Sequence, residues 1–145
     1  MLAGLVLVLL LIAAASFLTG DTKGLIVGDF SNNQTEMTAL AQSMLDNKTD
    51  EALLDKYSST YDISVWRTED VIVQFVAYTE GIAPAGKYVG LYYSPDDVVT
   101  TFQGSAGTMK ITENGAGYDL QEVGRDNGGY TEKVSDNWYY FEAWF

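Results

Sequence analysis

The hydrophobic pattern changes character twice along this chain. From Leu2 to Leu18 it has no period: the run LAGLVLVLLLIAAASFL carries no charge and one hydroxyl, Ser16. As a helix rising 1.5 Å per residue, the run reaches about 26 Å, close to the roughly 30 Å of a bilayer's hydrocarbon. Residues 1–19 are therefore read as an N-terminal apolar helix that anchors the chain in a membrane. A cleaved signal segment ending near Ala13-Ala14-Ala15 is the alternative, and the lack of a basic leader counts against it. A helix buried in a soluble core fits least, because nothing polar gives the run an outward face. Asp21 beside Lys23 leaves the flanking charge almost silent on orientation, and an exported domain is preferred.

Residues 20–30 read as a tether: GDTKG is a short joint, and LIVGDF is a short strand or a packed segment. A 3.6-residue period follows. Met37, Leu40, Ala41, Met44 and Leu45 form one apolar stripe, which predicts a helix. Ser31-x-x-Gln34 is a capping box for its start, Asn33-x-x-Glu36 an alternative, and Asn47 can end it. The methionines read as core filler rather than a groove. Thr49 then caps a shorter helix, DEALLDKYS, with Leu53, Leu54 and Tyr57 inward and acids in its first turn.

After residue 60 the period falls to two. YDISVWR, DVIVQFVAYTEG and KYVGLYYS predict strands. The second is apolar on both faces and so reads as central. Asn114-Gly115 predicts a tight turn, flanked by the alternation of Met109, Ile111, Tyr118 and Leu120. RDNGGYTEKVSDN reads as a polar loop delivering a last strand. The sum is one α+β domain over 31–145: a short amphipathic helical pair, then an antiparallel meander sheet of about six strands.

The last strand, WYYFEAWF, splits by parity. Tyr139, Phe141, Ala143 and Phe145 make a plausible core face. Trp138, Tyr140 and Trp144 share the other with Glu142, extended by Tyr88, Tyr92 and Trp66. Either the helices cover this second face, or it is an open aromatic platform for a glycan or peptide. Trp138, Tyr140, Trp144, Tyr88 and Tyr92 are the candidate binding residues.

Composition narrows the chemistry. The net charge of −12 repels nucleic acid and anionic headgroups, so a membrane can be reached only through apolar burial. With no Cys and no His, thiolate nucleophiles, imidazole bases and thiolate zinc sites are excluded. Paired carboxylates remain, but Asp96-Asp97 at a turn reads as a solvated cap. RDNGGY and ENGAGYD lack the spacing of calcium loops, and GSAG lacks the Lys of a phosphate loop. Asn33-Gln34-Thr35 and Asn47-Lys48-Thr49 match glycosylation acceptors at helix ends. No metal, cofactor or catalytic residue is assigned.

GLYYSPDDVVTTFQG and GRDNGGYTEKVSDNWYYFEAWF together resemble the C-terminal half of a group of small uncharacterised proteins from Clostridia-type Gram-positive bacteria. These have an N-terminal apolar segment and a C-terminal Trp-Tyr-Tyr-rich strand. The resemblance covers roughly residues 88–145, and at TTF the group pattern expects a proline that is absent here. It implies a membrane-anchored, surface-facing protein and carries no site residues. The expectation is an extracytoplasmic domain, tethered through residues 2–18, that binds a protein or cell-envelope glycan. A carboxylate-based hydrolase of envelope glycans and a purely structural module are the alternatives. Enzymatic activity stays open, with the balance against it.

Overall fold

The computed structural model describes residues 21–82, 85–105, 107 and 109–145. The anchor expected over 1–19 lies outside the described residues. Among the described residues no helix is long and apolar enough to cross a membrane.

Two helices precede a seven-stranded antiparallel sheet. α1 (Thr22–Leu45) is far longer than its apolar stripe suggests. The segment read as a tether is its first two turns, and Ser31 and Asn33 lie mid-helix instead of at a cap. Their side chains turn back along the helix: the Ser31 hydroxyl donates to the Val27 carbonyl, and the Asn33 amide donates to that of Asp29. Asp21, at the N-cap, makes no side-chain cap bond. Packing extends the helix instead. Ile26 and Phe30 continue the stripe of Met37, Leu40 and Ala41, and all five are buried. Full burial of such a side chain contributes roughly 1.5–3 kcal/mol. The helix ends at Leu45, with Asn47 in the left-handed region at φ 55°. α2 (Glu51–Ser58) is capped by Asp50, whose carboxylate accepts from the Leu53 N–H at 3.1 Å; Thr49 is not the cap.

The strands are β1 (Asp62–Arg67), β2 (Val71–Ile82), β3 (Ala85–Tyr93), β4 (Met109–Asn114), β5 (Gly117–Glu122), β6 (Gly128–Ser135) and β7 (Trp138–Trp144). Their order across the sheet is β1-β2-β3-β7-β6-β5-β4, so the meander breaks once. After β3 the chain crosses to the far edge and works back, and the final strand lands in the middle. β2, read as central, lies one strand in from the edge.

β6 occupies the segment whose polarity suggests a loop. Its paired glycines are there for close approach. A Cβ on Gly128 would lie 2.8 Å from the Leu120 carbonyl, and one on Gly129 would lie 2.5 Å from that of Glu142. The β4–β5 turn sits one residue later than expected. Its loop is Gly115-Ala116, with Asn114 pairing Gly117 and Gly115 at φ 62°.

Both faces of the central strands are covered. α1 packs over Val73, Phe75, Leu91, Tyr93, Trp138 and Tyr140. The connection from Ser94 to β4 crosses the opposite face, where Val99 and Phe102 pack on Ile72, Tyr92, Tyr139 and Phe141. The Tyr92 hydroxyl pins that connection by accepting from the Thr100 N–H at 3.1 Å. Asp97 clasps its start. The Asp97 carboxylate takes the Asn137 N–H at 3.0 Å, the Tyr139 hydroxyl at 3.1 Å and the Lys133 ammonium at 2.5 Å. The Lys133 bond above all holds its pKa below the ordinary value. Asp97 is exposed, as expected of a turn residue, and it also clasps the connection.

Candidate functional site

The five aromatic residues expected to form one platform occupy two faces. Register pairs Tyr93 with Trp138 and Leu91 with Tyr140, so Trp138, Tyr140 and Trp144 point toward the helices. Tyr92 pairs with Tyr139, and Tyr88 with Ala143, on the other side. Trp138 is 0% exposed, wedged between Phe30 and Phe75 at centroid distances of 4.9 and 5.3 Å. Tyr140 is buried beside it. Tyr92 is buried too, stacked on Tyr139. Tyr88 is half-covered by Phe102 and Phe145. Trp144 alone of the five is exposed. Trp66 is half-buried on the Tyr92 side.

A polar cluster occupies the sheet beneath the first turn of α1. It is built from a triplet that recurs in the sequence: Tyr78-Thr79-Glu80, Tyr130-Thr131-Glu132 and Tyr140-Phe141-Glu142. In a strand, residues two apart share a face. The three triplets lie on β2, β6 and β7 and all direct Tyr and Glu toward α1. Those on β6 and β7 are reciprocal partners, Tyr130 opposite Glu142 and Glu132 opposite Tyr140. Within each, the phenol donates to its own glutamate, at 2.6 Å for Tyr130 and 2.9 Å for Tyr140.

Two lysines complete the cluster. Lys23 reaches down from α1 to Glu132 at 2.5 Å, its ammonium 5.9 and 5.7 Å from the ring centres of Tyr130 and Tyr140. Lys87, opposite Glu80 on β3, pairs with Glu142 at 2.7 Å. A cavity of about 210 Å³ lies between Thr22, Lys23, Tyr78, Lys87, Tyr140 and Glu142. The cage of phenol faces and carboxylates suits a cation, and the Lys23 ammonium is the one it holds.

Titration in this cluster moves away from neutrality. The Lys23 and Tyr130 bonds lower the Glu132 pKa. The bond to Glu132, with burial, pushes the Tyr130 phenol up to about 12. Burial, then the Glu142 charge, raises Tyr140. At neutral pH these are fixed donors and acceptors. No group of three or more metal-ligating side chains occurs among the described residues.

Sequence reading missed this cluster because Lys23 and Glu132 are 109 positions apart. The threefold Tyr-x-Glu was the available signal. A second concavity, of about 880 Å³, runs along the outward side of α1, lined by amides and hydroxyls such as Asn32, Thr35 and Gln42. Comparison of the chain with protein families, with curated proteins and with solved structures finds no match.

Proposed function

We propose that this chain is a membrane-tethered extracytoplasmic domain that acts by binding a protein or a cell-envelope glycan rather than by catalysis. The observation that carries the reading is the junction at the start of α1. Only Thr19, Gly20 and Asp21 separate the apolar run ending at Leu18 from a helix docked along the sheet. An anchor in that run would hold the domain close to the membrane, with no slack linker between them.

The site chemistry fits binding better than hydrolysis. A glycoside hydrolase needs one carboxyl that stays protonated near neutral pH. Glu36, Asp97 and Glu132, the carboxyls whose pKa departs clearly from the ordinary value, all move down. The buried aromatics transfer the binding role away from Trp138 and Tyr92, and the amide-rich side of α1 is the surface left for a partner. If that surface is inert, the burial of the same aromatics favours the purely structural reading.

Fractionation of cells expressing the full chain tests the proposal. The chain is expected in the membrane pellet after alkaline carbonate, with its domain cut by protease added outside intact cells. Release by carbonate, or full protection from outside protease, overturns it.

A further inference from the structure

One end of the sheet gathers most of the exposed apolar side chains. The row Lys110, Gln121, Gly128, Trp144, Lys87 and Glu80 crosses the sheet from β4 to β2. Just beyond it lie the β2–β3 hairpin, the β5–β6 turn and the C-terminal Phe145. α1 begins at this same end, since Thr22 and Lys23 line one cavity with Glu80 and Lys87. Ile82 on the hairpin is 86% exposed and Val123 on the turn 71%; Leu25, Trp144 and Phe145 are 42, 39 and 39% exposed. Among the described residues, the other large apolar side chains this open are Val98 and Ile111.

Three ion pairs form at this end, while Asp21, Glu80 and Asp126 lie exposed beside them. Lys23 sits on Glu132, Lys87 on Glu142 and Arg125 on Glu122. Lys110 adds a further cation on the same row. The opposite end carries Asp46, Glu69, Asp96, Asp97 and Asp136 on its turns and caps. Acids thus lie at both ends, and what sets this end apart is its exposed apolar side chains.

We propose that the Ile82–Val123–Trp144 end is a lipid-contact surface, on which the domain rests against the membrane that its own N-terminal run enters. The inference rests on the tether reading above and adds the face that meets lipid. Three residues separate the apolar run Leu2–Leu18 from Thr22, so the run joins the domain at this end. Exposed Ile and Val tips reach the acyl boundary, while Trp144 has the amphipathic ring that favours the headgroup level. A zwitterionic surface has no net charge to repel Glu80 and Asp126, and the three ion pairs add none.

The chain has no cysteine, so single labels are clean. Full-length Ile82→Cys, Val123→Cys and Asp96→Cys carry a nitroxide in phosphatidylcholine vesicles, and collision with oxygen is compared with collision with a water-soluble nickel chelate. Oxygen is expected to dominate at positions 82 and 123, and nickel at 96. Nickel dominating at all three, with the chain still floating with vesicles, overturns the contact surface and leaves the tether intact. Dipolar broadening between labels at 82 or 123 overturns it in favour of a second copy of the chain. A chain that does not float overturns both readings.

Discussion

The indole of Trp138 donates its N–H to the Thr38 hydroxyl at 2.9 Å, joining residues 100 positions apart across the helix–sheet interface. Trp138 has no access to water, so the indole has no solvent partner to replace Thr38. Thr38→Val keeps the shape and orphans the donor. It is expected to destabilise the fold by about 1–3 kcal/mol. Urea unfolding followed by tryptophan emission reads the change, and an unaltered midpoint would show the bond to be dispensable.

Acid should weaken the start of α1. The Lys23 and Tyr130 bonds lower the Glu132 pKa from 4.5. A lowered folded pKa gives stability that is present above the unfolded value and is lost as pH falls through the folded one. Unfolding midpoints should therefore drop below about pH 4.5, with Glu36 and Asp97 contributing in the same direction. Glu132→Gln should start less stable at neutral pH and decline less steeply in acid. A slope equal to the parent's would remove Glu132 from the account.

The tyrosines give the alkaline counterpart. Six of the ten are held above the ordinary value of 10.0: Tyr57, Tyr61, Tyr92, Tyr130, Tyr139 and Tyr140. A raised folded pKa contributes stability that is complete below the unfolded value and lost as pH rises through the folded one. For Tyr130 and Tyr139 that passage ends at about 12. Tyrosinate absorbance should thus show fewer than half the phenols ionising at about pH 10, followed by a cooperative jump as the fold opens. Ten phenols titrating as one ordinary wave would contradict the burial described.

Two glycines separate packing from propensity. A Cβ on Gly90 would stand 2.0 Å from the Phe75 carbonyl, beside the register shift between Val76 and Tyr78. Gly90→Ala is expected to destabilise by about 2–3 kcal/mol or more. Gly28, on the open side of α1, meets nothing within 4 Å. Gly28→Ala should add about 0.5–1 kcal/mol. Thermal denaturation of the pair should show shifts of opposite sign.

Trp144→Phe should remove the larger part of the acrylamide-quenchable fluorescence, because Trp138 is sealed and Trp66 is only half exposed. Quenching as strong as the parent's would mean that the helical face over Trp138 opens.

Period carried the secondary structure wherever one face faced water. The stripe from Met37 to Leu45 and the alternation around Gly115 gave the first helix and the hairpin. Period failed where packing overrode local preference. Gly24, Gly28, Ser31 and Asn33 weaken a helix or suggest its start, yet Ile26 and Phe30 bury against the sheet and carry the helix through them. Gly128-Gly129 imitates a loop because the neighbouring strands leave no room for a Cβ. Parity sorted WYYFEAWF correctly into two faces. Whether either face was open depended on the Ser94–Gly104 crossing and on α1, which lie outside the strand itself. Strand order was hidden for a similar reason, since β7 meets β3 only through pairing between residues distant in the chain.

That placement sets a timetable for folding. β7 joins two meanders that have no edge in common until it inserts, and Trp138 is the residue on which α1 closes. A nascent chain can form its helices and hairpins early, yet none of them has a finished core to rest on until β7 has been made. Assembly thus waits for β7 and is slow, because its decisive contacts span most of the described chain.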